Sequence, residues 1–320
     1  MSCLKKKHIL EIEDMSVSFQ QYERGSRKID LPVISRLNVS VHEGEIVAVV
    51  GASGSGKSLL AHGILGLLPQ NASMKGRIYF QEELLTREKT EAIRGKEIAL
   101  VPQSVNYLDP LMKVGKQVRN GKKDKETKKR QEKLFAQYGL AQETANLYPF
   151  QCSGGMIRRI LLCTALMEEP KLIIADEPTP GLDLNLAKKA LEDFRDFADK
   201  GNGVLLITHD IELALEVADR IAVFYGGTTV EEALVRDFEA EDKLRHPYTR
   251  ALFRAMPGNG FQYIEGSQPY VKDLPKGCVF GPRCPWFSKE CEGEIPEKII
   301  RCGTVRCIKA EGEKEACYES

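Results

Sequence analysis

Gly51-Ala52-Ser53-Gly54-Ser55-Gly56-Lys57-Ser58 stands directly after the branched apolar run Ile46 to Val50 and directly before the apolar segment Leu59 to Leu68. A continuous branched run is the pattern of a parallel strand covered on both faces, so this order of strand, glycine-rich turn and helix commits the chain to an α/β layer. Glycines let successive backbone N–H groups converge on a phosphate, and the following helix points its positive end at the same place. Spacing and residue types match the GxxxxGK[ST] phosphate loop. In that loop Gly51, Ser53, Gly54, Ser55 and Gly56 form the cradle, Lys57 pairs with the β- and γ-phosphates, and Ser58 puts its hydroxyl on Mg²⁺. A ligand-free glycine turn is the alternative, and the agreement of spacing, Lys, Ser and flanking elements disfavours it.

Leu172 to Ala175, Val204 to Ile207 and Ile221 to Phe224 repeat the buried-strand pattern, with helical periodicity in Leu186 to Asp199 and Ile211 to Ala218 between them. Strand and helix alternation of this kind predicts a doubly wound layer. The first fifty residues instead alternate apolar and polar in short β-rich runs, as a separate sheet edge would. Between Gln103 and Arg158 no buried strand is legible. The run Arg119 to Lys133 carries eight basic and three acidic residues, which reads as the solvated face of an inserted helical subdomain over about 104–158. After Val230 the texture turns to Pro, Gly and Cys. The predicted division is therefore 1–235 and 236–320.

Lys plus Arg and Asp plus Glu are 46 each in the 320 residues, so the formal charge is zero and a wholesale electrostatic grip on nucleic acid or anionic lipid is not expected. No apolar stretch approaches the ~18–20 residues that cross a bilayer. Met1 to Leu10 is too short and polar for a signal peptide, so the expectation is a chain neither exported nor membrane-spanning.

Lys171 to Glu177 reads as a buried strand ending in two adjacent carboxylates, Asp176 and Glu177. Two such charges are costly to desolvate unless a cation or a proton uses them. An Mg²⁺-associated Asp176 and a water-polarising Glu177, the general base of hydrolysis, would give each a task. Cys152-Ser153-Gly154-Gly155-Met156 lies between the two motifs and precedes an apparent helix at Ile157. There the chain resembles the ATP-binding subunits of ABC transporters, whose signature has the form LSGGQ. The resemblance implies a P-loop (RecA-like) core with an antiparallel β subdomain and a helical subdomain, and it implies that Ser153, Gly154 and Gly155 contact the γ-phosphate of ATP held by an opposite subunit. It also implies that Gln103 is the Q-loop glutamine at Mg²⁺ and the membrane partner, Asp183 belongs to the D-loop, and His209 is the switch histidine. Phe19, or with less support Tyr22, would stack on adenine.

His246-Pro247-Tyr248-Thr249, "LPKGCVFGPRC" and "VRC" extend the resemblance to the C-terminal region of oligopeptide, dipeptide and nickel importer ATPases. Cys152 in place of Leu and Ile157-Arg158-Arg159 in place of Arg-Gln-Arg depart from that branch, as does "TPGLD" for "TTALD". Six of the nine cysteines fall in the last 43 residues. Cys278, Cys284, Cys291 and Cys307 occupy the family's cysteine positions, with five, six and fifteen residues between them. Four thiolates suit a [4Fe-4S] cluster or, with less support from these long gaps, tetrahedral Zn²⁺; structural cysteines remain the third reading. Cys302 and Cys317 are then spare thiols, with Cys302 a substitute for Cys307, and all thiols are expected reduced. Cys3, Cys152 and Cys163 read as packing residues.

The resemblance implies an importer ATPase on the cytoplasmic face of the membrane. Its implied partners are a second ATPase subunit (paralogue or self), two transmembrane permeases and an external solute-binding protein, with peptides or nickel chelates as cargo. A soluble ABC ATPase acting on nucleic acid or ribosomes is the first rival; it would use the basic run Arg119 to Lys133. A P-loop kinase is the second, and it has no use for Ser153-Gly154-Gly155.

Overall fold

The computed structural model describes residues 7–22, 28–52 and 54–311. Strands β1 (His8–Tyr22) and β2 (Lys28–His42) are long and antiparallel, with left-handed Asp14 and Arg36 beside breaks in their register. Central strand β3 (Ile46–Gly51) leads through the glycine turn into α1 (Lys57–Ile64). Strands β4 (Ala72–Phe80) and β5 (Glu83–Leu84) return to the first pair, giving a four-stranded sheet of order β2-β1-β4-β5. Helix α2 (Arg87–Ile93) precedes the edge strand β6 (Ile98–Val101).

The segment after β6 is helical, as its sequence predicts: α3 (Val114–Val118), α4 (Lys125–Gln137) and α5 (Gly154–Leu166). Asp124 caps α4 by accepting from the Thr127 N–H, and most of the helix's charges face solvent while Leu134 and Phe135 turn inward. The core then resumes with β7 (Leu172–Asp176), α6 (Leu184–Asp199), β8 (Gly203–Thr208), α7 (Ile211–Val217), β9 (Arg220–Tyr225) and β10 (Thr228–Leu234). Helix α8 (Pro247–Ala255) and the short strands β11 (Lys298–Ile300) and β12 (Gly303–Val305) follow.

The main sheet has the order β11-β12-β10-β9-β3-β8-β7-β6; β9, β3, β8, β7 and β6 run parallel, and the others are antiparallel. Its pleat sorts the apolar residues. In β3, Val47 and Val49 pack with the four-stranded sheet and α1, whereas Ile46, Ala48 and Val50 pack with the helices on the other face. This double cover is the reason the central strands read as unbroken apolar runs.

Residues beyond 235 are not a detached second core, because β11 and β12 extend the main sheet through the Glu231–Val305 and Glu232–Thr304 pairs. A buried charge cluster ties the join. The Arg245 guanidinium donates to Glu231 Oε1 at 3.0 Å and to Asp237 Oδ2 at 2.7 Å, and the His246 N–H donates to the other Glu231 oxygen at 2.8 Å. An arginine fork answered on both sides is the arrangement that lets carboxylates this deeply buried persist.

Candidate nucleotide site and cysteine cavity

Gly51 ends β3 where any Cβ would lie 2.3 Å from the Phe224 carbonyl oxygen. Gly54 and Gly56 hold φ of +78° and +97°, in the region that favours glycine, so the turn can present backbone N–H groups before α1 begins. Ser53 lies outside the described residues. Ser55 is buried and its hydroxyl has no partner. Lys57 is also buried, and its ammonium donates to the carbonyl oxygens of Gly51 (2.7 Å) and Ala52 (2.9 Å), closing the loop on itself. Burial pushes the Lys57 ammonium down, while Glu177 and then Asp176 pull it back up.

Asp176 and Glu177, the last residue of β7 and the next, are 4% and 6% exposed. The Ser58 hydroxyl faces the Asp176 carboxylate, and one oxygen of that carboxylate, Oδ1, is buried without a partner. Burial raises Asp176, with the neighbouring Glu177 charge adding to the rise and Ser58 opposing it. Glu177 holds a left-handed φ of 49° and its N–H donates to the Ile207 carbonyl, so the backbone is fixed in a conformation that costs energy for a non-glycine residue. Its Oε1 lies 2.7 Å from His209 Nδ1, and its Oε2 is buried with no partner. Lys57, Ser58, Asp176, Glu177 and His209 therefore come from three strand ends into one place. Two orphaned carboxylate oxygens there suit a divalent cation and a water proton, which is the donor chemistry Mg²⁺ takes.

Gln103 lies just beyond β6 and is exposed. Its carbonyl accepts from Arg158 at 3.5 Å, and Tyr107 nearby hydrogen-bonds His62 of α1 at 2.6 Å. Neither contact was identifiable from sequence; Arg158 stands out there only as a departure from the signature, and Tyr107 carries no motif. The signature helix begins at Gly154 rather than Ile157, because the Ser153 hydroxyl accepts from the Met156 N–H at 3.3 Å and caps it. Helix α5 packs on β6, α3 and α4, while α1 packs on β7. Gly181 is left-handed with the Arg158 side chain against it, so Arg158 touches both the Gln103 segment and the turn before Asp183. Asp183 caps α6 by accepting from the Leu186 N–H. Phe19 is half-buried against the core between Leu31 and Ala72, whereas Tyr22 is exposed with the Lys28 ammonium 5.7 Å above its ring.

Cys278, Cys284, Cys291 and Cys307 all line one small cavity of about 10 Å³, room for about one water. Their thiols are free. Burial first, and then the neighbouring thiols Cys307, Cys284 and Cys291, raise Cys278 to about 11. Among the described residues no three His, Cys, Asp or Glu side chains form a ready single-ion site. Cys302 is disulfide-bonded, which corrects the expectation of a spare, reduced thiol or a substitute fourth ligand; proximity in the fold, invisible to sequence spacing, decides it. Cys317 and Cys3 lie outside the described residues. Cys163 is buried in the core, and Cys152 packs half-buried with its thiol near the Tyr148 carbonyl.

The ABC transporter family matches residues 34–180, and the oligopeptide/dipeptide transporter C-terminal region matches 230–291. The oligopeptide transport ATP-binding protein AppD of Bacillus subtilis is 34% identical, over 95% of this chain and 98% of its own. The chain belongs to the ABC transporter ATPases of the oligopeptide and dipeptide branch. OppD of Lactococcus lactis subsp. cremoris is also 34% identical, over 98% of this chain and 96% of its own, and the dipeptide transport ATP-binding protein DppD of Haemophilus influenzae is 33% identical over 92% and 95%. A dimeric ATP-binding cassette solved in a post-hydrolysis state with ADP and Pi is 28% identical, with a TM-score of 0.61, covering 71% of this chain and 99% of that one. As an ABC ATPase the chain binds and hydrolyses ATP. Among the described residues no helix is long and apolar enough to cross a membrane.

Proposed function

We propose that this chain is the ATPase subunit of an importer for oligopeptides or dipeptides. The observation that carries the reading is the convergence of Lys57, Ser58, Asp176, Glu177 and His209, with buried carboxylate oxygens left unpartnered, on a chain whose relatives are named for peptide transport. Peptide cargo is favoured over nickel because those names specify oligopeptides and dipeptides. The nucleic-acid rival is not favoured; Arg119, Lys122 and Arg130 of its basic run are bonded to Gln131, Glu168 and Glu169. Residues 1–235 would form the nucleotide-binding unit, with its helical subdomain near 104–158, and 236–320 the extension.

The roles follow from the contacts. Lys57 leaves the Gly51 and Ala52 carbonyls for the β- and γ-phosphates, a low-cost exchange because its ammonium is already held within the loop. Ser58, Asp176 and Gln103 would hold magnesium, which when bound supplies positive charge beside the phosphate oxygens. Glu177 takes the proton of the attacking water, and His209, bonded to the other carboxylate oxygen, fixes its orientation and faces the γ-phosphate. Phe19 or Tyr22 would cover the adenine. Ser153, Gly154 and Gly155 would reach the ATP of a second ATPase subunit, with Asp183 beside it, so turnover is coupled to pairing and, through the Gln103 segment, to two permeases at the membrane and a solute-binding protein beyond them.

The four cavity cysteines are proposed to hold a [4Fe-4S] cluster. The donor set fits: four thiols line one gap, the number and kind of ligand that a [4Fe-4S] cluster takes. The transport reading is tested by reconstituting the chain with a second ATPase subunit, permeases and binding protein in vesicles. ATP-dependent uptake of labelled peptides is expected, and uptake confined to nickel, or none, would overturn it.

A further inference from the structure

His246 is buried to 1% exposure, and only one of its two ring nitrogens has a partner. Nδ1 accepts from the Tyr248 N–H at 3.0 Å and caps α8. A nitrogen that accepts carries no proton, so the ring proton sits on Nε2. That N–H is a donor with no acceptor, a costly state for a buried polar group.

His246 lines two cavities, the cysteine gap and a larger one of about 750 Å³ beside β2. A nitrogen facing the larger space would be wetted, yet Nε2 is inaccessible. Of the two spaces that His246 lines, the cysteine gap is the smaller and the more enclosed, the one consistent with a dry Nε2. Phe280, which lines the same gap, packs 5.9 Å from the imidazole and helps fix the ring.

We propose that His246 donates its Nε2–H to a sulfur of the group held by Cys278, Cys284, Cys291 and Cys307, and so sets the redox behaviour of that group as a positioning residue. The inference rests on the cluster reading given above. Hydrogen bonds to cluster sulfurs favour the reduced, more negative state and are one of the levers that set potential. The same side chain caps α8 through its other nitrogen, so cap and donor are separable by substitution. Asn at 246 keeps a helix-capping side chain but is too short to reach the gap.

The experiment compares wild type and His246→Asn, both purified anaerobically, by iron and sulfide content, visible absorbance and a spectroelectrochemical titration. The variant's one-electron reduction equilibrium should become about tenfold less favourable, a midpoint about 59 mV more negative. An iron-loaded variant with an unmoved midpoint overturns the hydrogen bond while leaving the cluster standing. Wild type without iron and sulfide overturns the cluster and the inference with it. Should the variant fail to accumulate, pulsed EPR of reduced wild type carrying ¹⁵N-histidine decides: a weak coupling to one histidine nitrogen is expected, and its absence overturns the assignment.

Discussion

Replacing Glu177 with Gln changes one atom in the nucleotide site and separates binding from turnover. The carboxamide fills the same volume, and its oxygen or nitrogen can still meet His209 Nδ1, now 2.7 Å from Oε1. What disappears is the proposed proton acceptor, together with a negative charge that raises the neighbouring Asp176. General-base assistance is worth about 10²–10⁴-fold. At about 1.36 kcal/mol per decade this is roughly 2.7–5.4 kcal/mol of barrier. Loss of the repulsion between residues 176 and 177 lets Asp176 ionise more readily, so the variant should keep ATP affinity in magnesium and accumulate a closed dimer. Phosphate release, nucleotide titration and light scattering with ATP measure the three quantities. Turnover within a few-fold of wild type would remove Glu177 from the role of base, and loss of ATP binding would show that its charge holds the nucleotide site together.

Lys57→Ala removes the only ammonium bonded within the phosphate loop, and fluorescence titration should show ATP affinity falling at least tenfold, as charge-assisted hydrogen bonds worth about 1.5–3 kcal/mol are lost; unchanged affinity would refute the phosphate contact. Arg245→Leu leaves the buried Glu231 and Asp237 carboxylates uncompensated, and a loss of about 3–5 kcal/mol in urea unfolding is expected, against the small change that would follow if the join were loosely packed. Glu232 is buried and raised to about 7, above its ordinary 4.5, chiefly by desolvation. The folded state therefore holds a proton there that the unfolded chain has released, so stability falls as pH rises from about 4.5 to about 7. Glu232→Gln should flatten that decline in denaturation curves at pH 5 and pH 8, and an unaltered slope would assign it to other groups.

The candidate nucleotide site was legible because its parts are short and contiguous. A glycine turn, a strand that ends in two carboxylates and a serine-glycine pair before a helix each carry their geometry in a few adjacent residues, and backbone sterics and strand periodicity operate over that range. The parallel core was legible for the same reason, through unbroken apolar runs such as Ile46 to Val50 and Leu172 to Ala175. Contacts between distant segments were not. Arg158 at the Gln103 carbonyl, Tyr107 on His62 and the disulfide at Cys302 depend on where folded elements pass one another, and no local pattern encodes that.

The division is sharpest at the C-terminal end. Composition alone marks the tail as a different chemical object, with its cysteines and prolines. The amino-acid order does not say that β12 would join β10, that four thiols spaced unevenly would face one gap, or that His246 would cap a helix with one nitrogen and leave the other bare. Burial of Glu231, Arg245 and His246 together settled those points, since charged and polar groups taken out of water must find partners wherever in the chain those lie.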